Sequence, residues 1–393
     1  MQQSIHNAGA PRSAGTSEIL HTTVMLAMYD VVIAIEGGFE PYAARIQAPA
    51  GADAGAAAAT AAYRTARARV AASQVAFLDG QYAGYMAAIA DGPAKSAGVQ
   101  AGEQAAAAVL ALRANDNFGT VVLFECSGIP VAVGEFEPDA GCPATPAAPQ
   151  PVDVKVGRIL PFTFADAAAF RPAGPDPLTS SAFAEDFNET REYGRIDSTV
   201  RTAEQTDVAY FWAENPYVHW NRNLVRLAIA SGLSLRDAAR FFALVHTSAA
   251  DSIIAGFEAK YFFRAWRPRT AIPRADSDGN PDTDADPAWK PLLSVNHPEY
   301  PSGHGFWSTA VLEAVNAFFG SNRVTWTLAT SKTAVPQVVR TERTFDRLNA
   351  ILLDVTNARV WAGLHWRHSM RHGAQIGRHV AAHVSRNFFR PVQ

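Results

Sequence analysis

Pro301-Ser302-Gly303-His304 runs directly into an apolar, helix-like segment at residues 306–319. Ser302 is a good helix N-cap, because its hydroxyl can accept from an amide in the first turn. The free N–H groups of a helix start, aided by the helix dipole, favour an anion. Gly303 lets the backbone approach such a ligand closely. His304 falls in the first turn, where an imidazole can give or take a proton beside the anion. Taken alone, the motif reads as an ordinary capped helix with a histidine in its first turn.

Two other segments change that reading. Lys260-Tyr-Phe-Phe-Arg264-Ala-Trp-Arg267-Pro268 spaces Lys260, Arg264 and Arg267 at i, i+4 and i+7. At roughly 100° per residue these share one helical face. Like charges on one face repel, and no acid lies between them to relieve the repulsion. Tyr261, Phe262, Phe263 and Trp266 predict burial, and buried unpaired charge requires a partner. Pro268 is expected to end the helix and to leave Arg267 at the mouth of a loop. The competing reading pairs this basic face with distant carboxylates. Downstream, Arg359 and His365 close the apolar run at residues 348–364. On an ideal helix their side chains point roughly 120° apart, so the spacing is permissive, and Gly363 can loosen the helix between them. A neutral imidazole such as His365 can be the apical ligand of a metal oxyanion or a nucleophile toward phosphorus.

In this order the three segments resemble the vanadium-dependent haloperoxidase and type 2 phosphatidic acid phosphatase superfamily, in its bacterial haloperoxidase-like branch. The signature runs Lys-x6-Arg-Pro, Pro-Ser-Gly-His, then Ser-Arg-x5-His-x3-Asp. Lys260 to Pro268 and Pro301 to His304 match the first two elements fully. The third reads Ala358-Arg359, then His365, then Ser369. The resemblance extends to the segments Leu20-His-Thr-Thr-Val-Met-Leu-Ala-Met-Tyr-Asp30, Arg201-Thr-Ala-Glu-Gln-Thr-Asp-Val-Ala-Tyr-Phe-Trp212 and His297-Pro-Glu-Tyr-Pro-Ser-Gly-His304. It implies two packed four-helix bundles and an enzyme that oxidises halide with hydrogen peroxide to hypohalous acid at bound vanadate. By resemblance, Lys260, Arg267, Arg359, Ser302 and the Gly303 amide hold the oxyanion, and His365 is the ligand to vanadium. Lys260 polarises peroxide and His304 handles protons. Arg264 and Ser369 are expected just outside these groups. Hydrogen peroxide, halide and a small organic acceptor are the implied partners. The alternative is a metal-free acid phosphatase, in which phosphate occupies the pocket, His365 attacks phosphorus and His304 protonates the leaving oxygen. Ser369 stands where the family has an aspartate supporting the final histidine, and a serine can orient the ring but supplies no charge. Either another carboxylate does that work, or His365 holds vanadate less firmly; the same departure motivates a third reading, an oxyanion-binding protein without turnover.

The chain has 393 residues and a formal net charge of −3, with 48% hydrophobic and 18% charged residues, so it can bury a large core. Its weakly acidic balance gives no sign of nucleic-acid binding. The apolar stretch at residues 22–35 is interrupted by Asp30 and is expected to be too short and polar to span a membrane. Met1 opens no signal peptide. Members of this branch are often exported, so the resemblance implies a periplasmic or secreted protein in mature form with a replaced start, the alternative being cytoplasmic. Cys126 and Cys142 read either as a disulfide closing a short loop or as two free thiols. The sequence does not give the oligomeric state, and a homo-oligomer stands as one expectation.

The Gly/Ala/Ser-rich residues 1–17 are expected to be a mobile N-terminus, and 18–393 a single all-helical domain. Helices are expected from residue 17 to 36 and through the alanine-rich stretch 56–115. Residues 116–196 are rich in Gly and Pro and read as a wrapping segment, and 197–393 carry the active site. Thr202-x-x-Gln205 is a capping box and Ser234-x-x-Asp237 another helix start. Sustained helical patterns with few strands make the fold class all-α, a helical bundle. The aspartates between 276 and 286 lack the order of a calcium-binding loop and read as a solvated acidic loop. His365, His368 and His372 invite a zinc reading, but no glutamate lies between them to act as a metalloprotease base.

Overall fold

In a computed structural model, residues 5, 6, 12–143, 145 and 147–392 are described. The helices, in chain order, are α1 (Ala14–Glu36), α2 (Ala54–Arg67), α3 (Ala72–Ala87), α4 (Pro93–Leu112), α5 (Ser181–Tyr193), α6 (Ala203–Phe211), α7 (Pro216–Ala230), α8 (Leu235–Phe263), α9 (Pro268–Ala271), α10 (Gly303–Phe319), α11 (Leu348–Trp361) and α12 (Arg367–Asn387). The one sheet among the described residues is an antiparallel hairpin of β1 (Trp326–Ala329) and β2 (Glu342–Phe345), with Trp326 opposite Phe345. The all-α class therefore holds, and the hairpin is the element the sequence reading lacked.

Part of the expected mobile N-terminus, residues 1–4 and 7–11, lies outside the described residues. The remainder of that expectation is corrected. Ser13 caps α1 by accepting from the Thr16 amide at 3.2 Å, so helix is already formed at Ala14.

The expected single domain is also corrected, since the chain divides into two compact units. One comprises Met1–Asp116, Leu224–Ala250 and Ala382–Gln393, the other Asn117–Asn223 and Asp251–Ala381. Each has its own apolar core. In the first, Val24, Ala62, Ala66 and Leu78 pack together, and the buried Glu18 Oε1 lies 2.7 Å from His246 Nδ1. Helix α1 is, among the described residues, the one helix long and apolar enough to cross a membrane, which the reading of residues 22–35 did not allow. However, 78% of its most apolar window is buried inside the protein. Asp30 on the same helix is buried and accepts from the amides of Tyr42 and Ala43 at 2.6 and 2.8 Å. Helix α1 is thus a core helix with satisfied polar groups.

The second unit contains every group of the expected oxyanion pocket. Phe183, Phe187, Trp266, Ile272, Trp289 and Trp366 form its aromatic core. The segment after residue 116 is mostly irregular, with short 3-10 turns at Val156–Arg158 and Ala167–Phe170. It is tied down by backbone bonds, Phe136 N to Arg264 O at 2.6 Å and Trp266 N to Gly134 O at 2.8 Å. Asp251 on α8 further accepts from the amides of Phe162 and Thr163. Cys126 and Cys142 form a disulfide within it, which decides between the two sequence readings. In the 276–286 loop Asp278 accepts from the Asn280 amide and the Thr283 hydroxyl, and Asp286 faces Arg195 at 3.1 Å, while Asp276, Asp282 and Asp284 are exposed, in keeping with a solvated acidic loop.

Candidate active site

The basic segment folds differently from its helical spacing. Helix α8 stops at Phe263, and Arg264 takes the left-handed conformation with φ of 51°. The turn is closed by the Arg264 amide on the Lys260 carbonyl at 2.9 Å. Lys260, Arg264 and Arg267 therefore do not share one helical face. Arg264 points away and donates to the carbonyls of Glu125 and Tyr261 at 2.8 and 3.2 Å. Pro268 does not end the helix either; it occupies the first turn of α9, with Arg267 at the cap position. This break is what lets Lys260 and Arg267 converge.

Lys260 is fully buried, and its Nζ donates to the carbonyls of Pro298 and Glu299 at 2.9 and 3.0 Å. Arg267 is 1% exposed and reaches the same segment: Nη2 donates to His297 Nδ1 at 2.9 Å and to Pro298 O at 3.2 Å, while Nη1 donates to Leu364 O at 2.8 Å. Burial and then the neighbouring Arg267 push Lys260 well below its ordinary value, with Glu299 opposing. Burial also lowers Arg267, to about 10. Residues 297–302 are thus held between two buried cations before the chain enters α10.

Ser302 caps α10, with its hydroxyl 3.4 Å from the Gly305 amide, and its own amide donates to Ser369 O at 3.1 Å. A Cβ placed on Gly303 would meet nothing closer than Lys260 Cε and Phe306 Cζ, both at 3.9 Å. The Lys260 stem therefore lies against the first turn of α10. Helix α11 ends at Trp361, and Gly363, at φ of 70°, turns the chain so that His365 lies in the link to α12 and not on the helix of Arg359. At Gly363 a Cβ would fall 2.5 Å from Gly194 O, so the turn admits no other residue without movement. Arg359 is 4% exposed; Nη1 donates to Trp212 O at 3.1 Å and Nε is buried without a partner. Burial and Arg267 lower it to about 9.

His365 is buried, with Nδ1 2.7 Å from Glu299 Oε1, which also accepts the Trp366 amide at 3.2 Å. Burial, then Arg267, Lys260 and Arg359, hold the ring well below its ordinary pKa. The pair is therefore a neutral imidazole donating Nδ1–H to a carboxylate, which fixes the tautomer and leaves the Nε2 lone pair available. Burial raises Glu299, while His368, Lys260 and Arg267 oppose that rise and favour the ionised form. The sequence reading left the charged support of His365 to another carboxylate, and the structure supplies Glu299. The buried Ser369 side chain adds to the groups that favour ionised Glu299, while its carbonyl accepts from the Ser302 amide. Glu299 was missed because it lies two residues before Pro301, outside the motif; the available signal was an acid between Pro298 and Pro301.

His304 lies in the first turn of α10; burial, then Arg359 and His219, hold it well below its ordinary pKa, with the Trp212 backbone opposing. His368 and His372 do not join His365. His368 Nδ1 lies 2.8 Å from Asp186 Oδ2 and His372 Nδ1 lies 2.8 Å from the Tyr300 hydroxyl. The three-histidine zinc reading is thereby set aside, since each ring is turned to a different partner.

Comparison with known proteins follows this geometry. Residues 240–393 match the family described as the VCPO second helical-bundle domain. The vanadium chloroperoxidase of Curvularia inaequalis is 26% identical over 230 residues, 44% of this chain and 37% of that protein. The match thus spans little more than a third of that curated relative's length. A solved bacterial vanadium-dependent iodoperoxidase superposes with a TM-score of 0.79 at 22% identity, covering 100% of this chain and 94% of that one. A holo-type bacterial vanadium-dependent chloroperoxidase gives a TM-score of 0.78 at 17% identity, over 98% and 94%. These likenesses establish the shared fold.

Proposed function

From a chain that belongs to the vanadium-dependent haloperoxidase superfamily, we propose an enzyme that oxidises halide with hydrogen peroxide to hypohalous acid. The observation that carries this reading is the neutral His365 ring, bound through Nδ1 to Glu299 and ringed by Lys260, Arg267 and Arg359. These residues fit vanadate. An imidazole Nε2 suits the metal, three buried cations suit its oxygens, and the Lys260 stem lies against the start of α10, whose amides suit an anion. Lys260, Arg267, Arg359, Ser302 and the Gly303 amide would hold the oxygens and His365 the metal. Bound vanadate would supply a Lewis-acidic centre that activates peroxide without changing its own oxidation state.

The remaining work falls to the protein. Lys260 and the two arginines neutralise oxyanion charge in a site of low dielectric, where such charges act strongly. Glu299 fixes the orientation of His365. His304 is neutral in the ligand-free pocket and so is placed to accept a proton from incoming peroxide and return it later. Export to the periplasm or medium belongs to this proposal and is supported by the Cys126–Cys142 disulfide.

The test is iodide oxidation by peroxide with purified protein, chelated and then reconstituted with vanadate. Activity that appears only with vanadate and is lost in His365→Ala supports the proposal. Phosphomonoester hydrolysis without halide oxidation assigns the pocket to a phosphatase, and tight phosphate binding with neither activity assigns it to a binding protein.

A further inference from the structure

Beside the cage lies a cleft of about 570 Å³ whose floor is the last two turns of α8. Phe257, Glu258, Tyr261 and Phe262 line it together with Arg158, Arg171 and Arg264. The cleft and the cage are back to back on one helix, since Lys260 lies between these residues and points the other way. The partition is thin. The Phe257 ring meets His297 edge-on at 5.7 Å, and His297 Nδ1 accepts from Arg267 at 2.9 Å.

The lining has an aromatic platform and uncompensated positive charge. Phe262 is 57% exposed, unusual for a ring in a cleft, with the Arg171 guanidinium 3.6 Å over it and the edge-on Phe263 ring 5.0 Å away. Arg171 is neutralised by Glu258, Nε to Oε2 at 3.0 Å. The other acid of the lining, Glu135, accepts from the Ser127 hydroxyl. Arg264 is bonded only to carbonyls, and Arg158 has no acidic partner among the described residues. Three guanidiniums thus face two carboxylates, which leaves one positive charge in excess and Arg158 and Arg264 without an ion pair, beside a ring that can stack. Guanidinium recognises a carboxylate through paired N–H donors, and an apolar wall with a few placed polar groups is the usual make-up of a small-molecule site.

We propose that this cleft binds the organic acceptor, and that the acceptor is a small aromatic ring bearing an anionic group, a carboxylate or phenolate. The role as acceptor rests on the haloperoxidase reading above. In that role a ring carbon attacks the halogen of hypohalous acid: the C–X bond forms and the O–X bond breaks. The departing oxygen takes the ring proton, so water is released, with the ring oxidised and the halogen reduced by two electrons. Arg158 and Arg264 hold the anionic group, and Phe262 stacks on the ring.

The experiment is a calorimetric titration of the full chain with 4-hydroxybenzoate, without vanadate, peroxide or halide. Saturable binding is expected, weakened about tenfold or more in Arg158→Gln and in Phe262→Ala, with 4-hydroxybenzyl alcohol binding more weakly than the acid. Both substitutions are at exposed side chains, so the fold persists. No binding, or equal affinity in wild type and both variants, overturns the site. Iodide oxidation is read separately and is expected to be unchanged in both variants. A chain that binds 4-hydroxybenzoate but never oxidises iodide refutes the haloperoxidase reading and keeps the site. A chain that oxidises iodide and binds no 4-hydroxybenzoate refutes the site alone.

Discussion

Glu299→Gln isolates the carboxylate that the pocket uses behind His365. The side chain is fully buried, and Oε1 takes Nδ1–H of His365 at 2.7 Å. Glutamine keeps the shape and an acceptor and removes the charge. Two effects then oppose each other. A hydrogen bond to a charged group contributes about 1.5–3 kcal/mol against roughly 0.5–1.5 kcal/mol for a neutral pair. Nε2 becomes a poorer ligand, and loss of such a supporting partner weakens metal binding by about 10–100-fold. Against this, a carboxylate about 6 Å from a bound anion repels it by roughly 2.8 kcal/mol at an effective dielectric of about 20. Its removal would strengthen oxyanion binding by about 100-fold. The electrostatic gain is common to phosphate and vanadate, whereas only a metal centre draws on the basicity of Nε2. The ratio of the vanadate Kd to the phosphate Kd should therefore rise by about 10–100-fold in the variant, with phosphate held as tightly as before or more so. Calorimetry with phosphate and competition with vanadate, at one pH, give both constants; thermal unfolding checks that the buried substitution leaves the chain folded. A ratio within about threefold of wild type would refute the assignment of Glu299 as the group that sets the basicity of His365.

Lys260→Ala removes a buried cation and takes the Lys260 donor from the Glu299 carbonyl, while Pro298 O keeps Arg267. Oxyanion affinity should fall by about 100-fold or more and the unfolding midpoint should drop, both measurable on one preparation. His304→Ala should slow halide oxidation by about 10²–10⁴-fold while vanadate Kd stays nearly constant; an unchanged kcat removes the proton-transfer role. Because burial depresses Lys260, the ammonium loses its proton, and the pocket its charge, as pH rises through a range below that of an ordinary lysine. Sulfate, whose own charge is constant there, should bind progressively less tightly with rising pH in wild type, and this slope should flatten in Lys260→Met. Reduction or Ser replacement of Cys126 and Cys142, separated by 16 residues, should destabilise the chain. A loop of that length corresponds to about 3 kcal/mol, read from denaturant unfolding under oxidising and reducing conditions.

Much of the site was legible because its chemistry is carried by residue type. Taken singly the segments read as a paired basic face and an ordinary capped helix, and it was their order, through the family resemblance, that pointed to an anion pocket; the structure buries Lys260, Arg267, Ser302, Arg359 and His365 in one unit. Arg264 shows where periodicity misled. The i, i+4, i+7 rule assumes continuous helix, and the left-handed turn at Arg264 breaks it. That turn is stabilised by Lys260 O and by a pairing of Arg264 O with Phe136 N, contacts that spacing along α8 cannot reveal. Ser369 shows the complementary limit. A serine after His365 called for a carboxylate from elsewhere but could not say which, and it is Glu299, 66 residues away in sequence.

By itself the sequence determined the helical class, the capped start of α10 and the cations, hydroxyl and imidazoles available to an oxyanion. Those are local properties, set by propensity, capping and side-chain chemistry over a few residues. Tertiary structure alone decided that Glu299 supports His365, that Arg264 faces the neighbouring cleft, that the two cysteines are joined, and that the chain divides into two units. Each of these depends on which distant segments meet, and that is fixed by burying apolar surface and satisfying buried polar groups across the whole chain at once.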